Sequence, residues 1–165
     1  MGKRILLVMF AALSSSLLLG ADIPARWTGR CQRVVDGDTI LVKRDREFVT
    51  VDLAGVDCPE IGQSHGAEAA SFATRNLEGK IVTVIPESTS HSTVVARLEI
   101  FGNDFSEIIV SEGLAWCYPR APADPMLVAA ETQARIEGRG LWEDSNPTPP
   151  WIWRMGNRTQ LSTFP

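Results

Sequence analysis

A chain of 165 residues with 44% hydrophobic and 22% charged side chains has the composition of one ordinary globular domain plus a short appendage, which excludes a disordered polymer. Its 16 Lys+Arg against 20 Asp+Glu give a formal charge of −4, an argument against tight, non-specific gripping of nucleic-acid phosphates by a basic face. There is no internal repeat, and the three cysteines lack C-x-x-C spacing, which counts against a solenoid, a zinc ribbon and a thioredoxin-like motif.

The chain begins with Lys3 and Arg4, an uncharged apolar or small stretch from Ile5 to Leu19, and the small pair Gly20-Ala21 before Asp22. That layout predicts a secretory signal peptide over residues 1–21, too short to span a bilayer comfortably, and hence a periplasmic or extracellular protein with no stable membrane span. The segment holds two basic and no acidic residues, so the remainder carries 14 Lys+Arg against 20 Asp+Glu, a formal charge of −6. Export permits a disulfide. Cys31, Cys58 and Cys117 allow three single pairings; a Cys31–Cys117 bridge and three unpaired thiols are the two expectations carried forward.

Trp27–Val42 and Glu47–Ala54 are rich in Val, Ile and Thr and predict strands, the first broken by the turn signal Asp36-Gly37-Asp38. The charged stretch 43–47 reads as an exposed hairpin tip. Gly66–Leu77 has Ala70, Ala73 and Leu77 at helical spacing and Gly79 past its end, which predicts a helix. Ile81–Ile85 and Val94–Phe101 return to strand character. Asp104, with Glu107 three residues on, opens a short helix that stops at Gly113, and Asp124-Pro125 opens another that closes near Gly138 and Gly140. Beyond Trp142 the Pro-rich, aromatic chain is expected to run over the surface with its tryptophans packed down. Five strands and three helices in this order predict an α+β fold on an antiparallel barrel.

Two acidic motifs carry the chemistry: Val35-Asp36-Gly37-Asp38-Thr39-Ile40 and Leu53-Ala54-Gly55-Val56-Asp57-Cys58-Pro59-Glu60. Asp-Gly-Asp alone is a common turn that hydrogen-bonds its own backbone. Two such motifs at strand edges offer carboxylates able to converge on a hard cation such as calcium or magnesium.

On these motifs, with Gly113-Leu114-Ala115-Trp116, Gly138-Arg139-Gly140-Leu141-Trp142 and Pro149-Pro150-Trp151-Ile152-Trp153-Arg154, the chain resembles the staphylococcal-nuclease-like, or thermonuclease, domain family from about Arg33 to Arg154. The resemblance implies a five-stranded OB-type barrel with three helices and calcium-dependent hydrolysis of DNA and RNA phosphodiesters; the domain is expected over residues 22–154, with a tail over 155–165, as a monomer. It implies Asp38 and Asp57 as calcium ligands, a backbone carbonyl from Cys58, and Glu60 as the base that holds or deprotonates the attacking water.

The departures are as informative. The family places a phosphate-clamping arginine five residues before the second metal aspartate, where this chain has Asp52, and a second where it has Thr93. Arginines at such a site are worth roughly 10³–10⁵ in rate. Arg97 is a candidate replacement, though four residues along a strand is about 13 Å. Arg44 and Arg46 would need the hairpin tip to fold inwards. His65 and His91 read as exposed loop residues, and the tryptophans as core packing more than as base-stacking platforms. Two functions therefore stand: a nuclease of weakened or altered activity on single-stranded DNA or RNA, favoured by Asp38, Asp57 and Glu60, and a non-catalytic barrel that binds a protein or ligand and keeps the metal site, favoured by the absent arginines and the charge of −6.

Overall fold

The computed structural model describes residues 25–90 and 92–161, so the expected export segment and His91 lie outside the described residues. In chain order the elements are β1 (Trp27–Val34), β2 (Thr39–Arg44), β3 (Glu47–Leu53), β4 (Val56–Asp57), α1 (Gly66–Leu77), β5 (Ile81–Ser90), β6 (Thr93–Ile100), β7 (Asn103–Asp104), α2 (Phe105–Ser111), β8 (Trp116–Cys117), α3 (Pro125–Glu137), a 3-10 turn (Gly140–Glu143) and α4 (Pro150–Leu161).

Five strands form the expected barrel in the order β3-β2-β1-β5-β6. Neighbours in that order pair antiparallel, and the barrel closes where β6 runs parallel to β3, from Thr50 opposite Thr93 to Leu53 opposite Ala96. The barrel is thus mixed rather than wholly antiparallel. A parallel seam needs a long crossover, and β4, α1 and β5 supply it. The tight connections follow from local chemistry. Asp36 Oδ1 accepts from the Asp38 and Thr39 N–H groups at 3.2 and 2.7 Å, an Asx turn between β1 and β2. Asp45, at φ 53°, turns the exposed tip between β2 and β3.

Alternating residues fill the barrel: Ile40 and Val42, Val51 and Leu53, Val82 and Val84, Ala96 and Leu98 are all buried. Each large one contributes roughly 1.5–3 kcal/mol of burial. Helix α1 closes one side with Ala69, Ala73 and Leu77, and α2 adds Phe105, Ile109 and Val110. Asp104 and Asp124 cap α2 and α3 through their side chains, accepting from Ser106 N–H and Met126 N–H, each at 2.9 Å. Gly138, at φ 64°, ends α3.

The Pro-rich segment departs from expectation. It leads into a fourth helix, α4, beyond the three expected, with Pro150 as its first residue, where a missing N–H costs nothing. Its tryptophans do pack down: Trp151 meets Trp116 and Tyr118 edge-on at centroid distances of 5.8 and 6.1 Å. Trp116 also meets Trp142 at 4.4 Å, with the Arg135 guanidinium 3.9 Å from the Trp142 ring. All three cysteines are free. Cys31 is buried on β1 and Cys117 lies on β8, so the Cys31–Cys117 bridge does not form. Burial pushes their thiols up to about 11 and about 12.

Candidate active site

The two acidic motifs meet at one end of the barrel. Asp38 stands at the entry to β2, Asp57 ends β4, and Glu60 follows Pro59 in the loop toward α1. Two glycines permit the approach. A Cβ on Gly37 would lie 2.7 Å from both Cβ and Sγ of Cys58, and one on Gly66 would lie 1.8 Å from the Glu60 carbonyl oxygen. Only glycine lets these backbones come so close.

Hydrogen bonds then fix the arrangement. The Cys58 N–H donates to Asp38 Oδ2 at 2.6 Å, which ties the first motif to the second. Gln63 accepts from the Glu60 N–H at 3.3 Å and donates to the Thr148 carbonyl at 2.5 Å, which links the Glu60 loop to the chain entering α4. Asp57 is buried and Glu60 is half-buried.

These groups line an open cleft of about 530 Å³ whose wall carries six carboxyls, from Asp36, Asp38, Asp52, Asp57, Glu60 and Glu87. One cation, Arg154 of α4, lines it with them. Its guanidinium forks onto Asp57, with Nη1 to Oδ1 at 3.0 Å and Nη2 to Oδ2 at 2.7 Å, while Nη1 also donates to Glu60 Oε1 at 2.8 Å. Asp38 has no such relief. Burial first, then the neighbouring Asp36 and Asp57 carboxylates, hold its carboxyl well above the usual carboxylate range, against the pull of the Cys58 N–H. Burial also raises Asp52, and it raises the Cys58 thiol, helped by the charges of Asp38, Asp36 and Asp57.

The structure therefore brings Asp38, Asp57, Cys58 and Glu60 to one place. Of the positions where the resemblance implies arginines, Asp52 lines the cleft, and Thr93 begins the β6 strand of the closing seam. The candidate replacements lie elsewhere. Arg97 turns to Asp104 at 3.2 Å and Asp124 at 3.7 Å, and Arg44 sits over the Trp27 ring at 5.0 Å. His65 is half-buried rather than exposed; at φ 61° it precedes α1 and pairs with Glu68 at 3.0 Å. Arg154 is the site residue that the motif reading missed. Its signal was present: in an otherwise helical Trp-Ile-Trp-Arg, Trp151 and Arg154 fall three apart, on one face.

No three His, Cys, Asp or Glu residues stand in metal-binding geometry among the described residues. The donor chemistry nevertheless suits a hard divalent ion. Two carboxylates and a backbone carbonyl supply oxygen alone, and the crowded Asp38 carboxyl is a group that a cation would relieve.

The staphylococcal nuclease homologue family model matches residues 50–144. An uncharacterized endonuclease of Escherichia coli is 36% identical over 156 residues, covering 93% of this chain and 98% of its own length. A micrococcal nuclease of Shigella flexneri is 31% identical over 167 residues, covering 92% of this chain and 95% of its own. A staphylococcal-like nuclease of Arabidopsis thaliana is 31% identical over 122 residues, which are 73% of this chain and 36% of that protein. With the barrel, the paired acidic motifs and these relatives in agreement, the chain belongs to the staphylococcal nuclease homologue family.

Proposed function

We propose that this chain is an exported, calcium-dependent nuclease that hydrolyses phosphodiester bonds of single-stranded DNA or RNA. The observation that carries this reading is the convergence of Asp38, Asp57 and Glu60 on one wall of an open cleft. Asp38, Asp57 and the Cys58 carbonyl would hold the ion, which when bound would polarise the phosphate and stabilise charge developing on it. Glu60 takes the proton of the attacking water. Arg154 occupies its Oε1, which leaves Oε2 to accept that proton. The half-buried setting keeps the base close to water while the fork on Asp57 fixes the wall beside it.

Asp52 sets the expected rate. At about 6 Å and an effective dielectric of about 20, a carboxylate opposes a phosphate charge by roughly 3 kcal/mol where an arginine would attract it. Turnover is therefore expected to be weak beside relatives with arginine there. The second reading, a non-catalytic binding barrel, draws on the six carboxyls of the cleft, which repel any polyanion that arrives without a cation.

The test is cleavage of single-stranded DNA and RNA by the protein lacking residues 1–21, with calcium and with chelator, against an Asp38→Ala, Glu60→Ala double variant. Calcium-dependent cleavage that the variant loses supports the nuclease. A folded protein that calcium stabilises but that cuts neither substrate supports the binding barrel instead.

A further inference from the structure

The cleft described above presents an unusual charge problem. Six carboxyls and a single guanidinium line it, yet the reaction proposed for it needs a phosphate to come within reach of Glu60. Near-attack geometry demands that reacting atoms approach to about 3–3.5 Å. Beyond the proposed ion, the wall itself offers one group of the sign that attracts that phosphate.

Arg154 is placed for it by the fold. Trp151 anchors the start of α4 against Trp116 and Tyr118, and one turn later Arg154 leaves the same face of the helix toward the barrel end. The fork on Asp57 and the bond to Glu60 use both Nη1 hydrogens and one on Nη2. A guanidinium has five N–H donors in a rigid plane, so one Nη2 hydrogen and the Nε hydrogen are not spent on these carboxylates. The side chain keeps 36% of its surface exposed. Those donors lie beside the base and beside a proposed calcium ligand.

We infer that Arg154, delivered by the C-terminal helix, binds the scissile phosphate and so performs from α4 the clamping that Asp52 and Thr93 cannot perform from the barrel. The inference rests on the nuclease reading. Its ligand is a phosphodiester oxygen, held by the outer edge of a guanidinium whose inner edge is braced by Asp57. Bracing matters: a fork that is already oriented loses little freedom when it takes the phosphate.

The experiment uses the same protein lacking residues 1–21 and compares wild type with Arg154→Gln and Arg154→Lys. Each is assayed for kcat and KM on single-stranded DNA, for binding of a single-stranded oligonucleotide across a salt series in calcium, and for the melting-temperature shift caused by calcium alone. Arg154→Gln is expected to lose on the order of 10²–10³ in kcat/KM, the usual cost of a preorganised transition-state donor. Its binding should lose about 0.7 from the log–log salt slope, the share of one phosphate contact on a single strand. The calcium shift should persist, because Arg154 is not among the proposed ligands. Arg154→Lys keeps the charge without the fork and should fall between.

Three results overturn the inference. Cleavage as fast or faster in Arg154→Gln means that the guanidinium only occupies the carboxylates. Loss of cleavage with an unchanged salt slope in Arg154→Gln, fully restored by Arg154→Lys, means a structural counter-charge. A wild type that neither cuts nor binds the oligonucleotide removes the nuclease reading itself, and this inference with it.

Discussion

Two arginines of this molecule each bridge a pair of carboxylates, and the difference between the pairs separates structure from function. Arg97 meets Asp104 and Asp124, and each of those already has a task, since Asp104 caps α2 and Asp124 caps α3. The ion pairs hold two helix starts together. Arg154 meets Asp57 and Glu60, which accept no helix-cap bond, and does so in a cleft with four further carboxyls. Carboxylates such as Asp57 and Glu60, gathered with no helix to cap and at the cost of repulsion from their neighbours, mark a site. A motif alone would not separate the two: both arginines lie in family-like stretches, and both are partly exposed.

The sharpest way to break this contrast is at Glu60. Glu60→Gln keeps the shape and removes the proton acceptor, so cleavage should fall by about 10²–10⁴ while the melting temperature barely moves. Unchanged cleavage would take the base role away from Glu60. Next in size is the calcium response. Asp57→Asn, Asp38→Asn or both should abolish the rise in melting temperature at millimolar calcium, whereas Asp104→Asn and Asp124→Asn should retain it. A calcium shift that survives in the Asp38→Asn, Asp57→Asn double variant would place the ion elsewhere.

Much of this fold was legible because its signals are local. The Asx turn at Asp36, the hairpin tip at 43–47, and the Gly66–Leu77 helix all depend on residues within a few positions of one another. The parallel seam of β3 and β6 was not legible, since nothing in either strand states the direction of its distant partner. Helix α4 was missed for a different reason. The Pro-rich, aromatic composition beyond Trp142 pointed to a surface-running tail, though Pro at the first helical position is a helix start signal. Asp38, Asp57, Cys58 and Glu60 were named through the family resemblance that their two motifs carry, and they lie together because the Gly37 and Cys58 backbones meet at one end of the barrel. Arg154 escaped because its role depends on α4 folding back over the barrel, which Trp151 and Trp116 decide at long range.

That dependence gives a third prediction, smaller in effect on stability than on function. Trp151→Ala removes the half-buried ring that meets Trp116 and Tyr118, with an expected loss of roughly 2–3 kcal/mol, less than for a fully buried tryptophan. Cleavage should drop as far as in Arg154→Gln, although Arg154 itself is intact. Limited proteolysis after residue 150 should rise together with that loss. A variant that frees α4 yet cuts normally would detach the helix from catalysis.

The smallest effects belong to the structural pair. Asp104→Ala should cost about 1 kcal/mol through the lost cap, which for a domain of this size is about 2–4 °C in melting temperature. Asp104 also has a pH signature. Burial holds its carboxyl above the ordinary carboxylate range, against the pull of the Ser106 N–H and of Arg97. Between the ordinary value and its own, the folded state binds more protons than the unfolded one, so this group's contribution to stability falls as pH rises through that window. Asp104→Asn should flatten that slope. Arg97→Gln, finally, breaks only partly exposed ion pairs and should cost under about 1 kcal/mol with cleavage unchanged. Cleavage lost in a fully folded Arg97→Gln variant would show Arg97 reaching substrate across the barrel end, and the contrast between the two arginines would collapse.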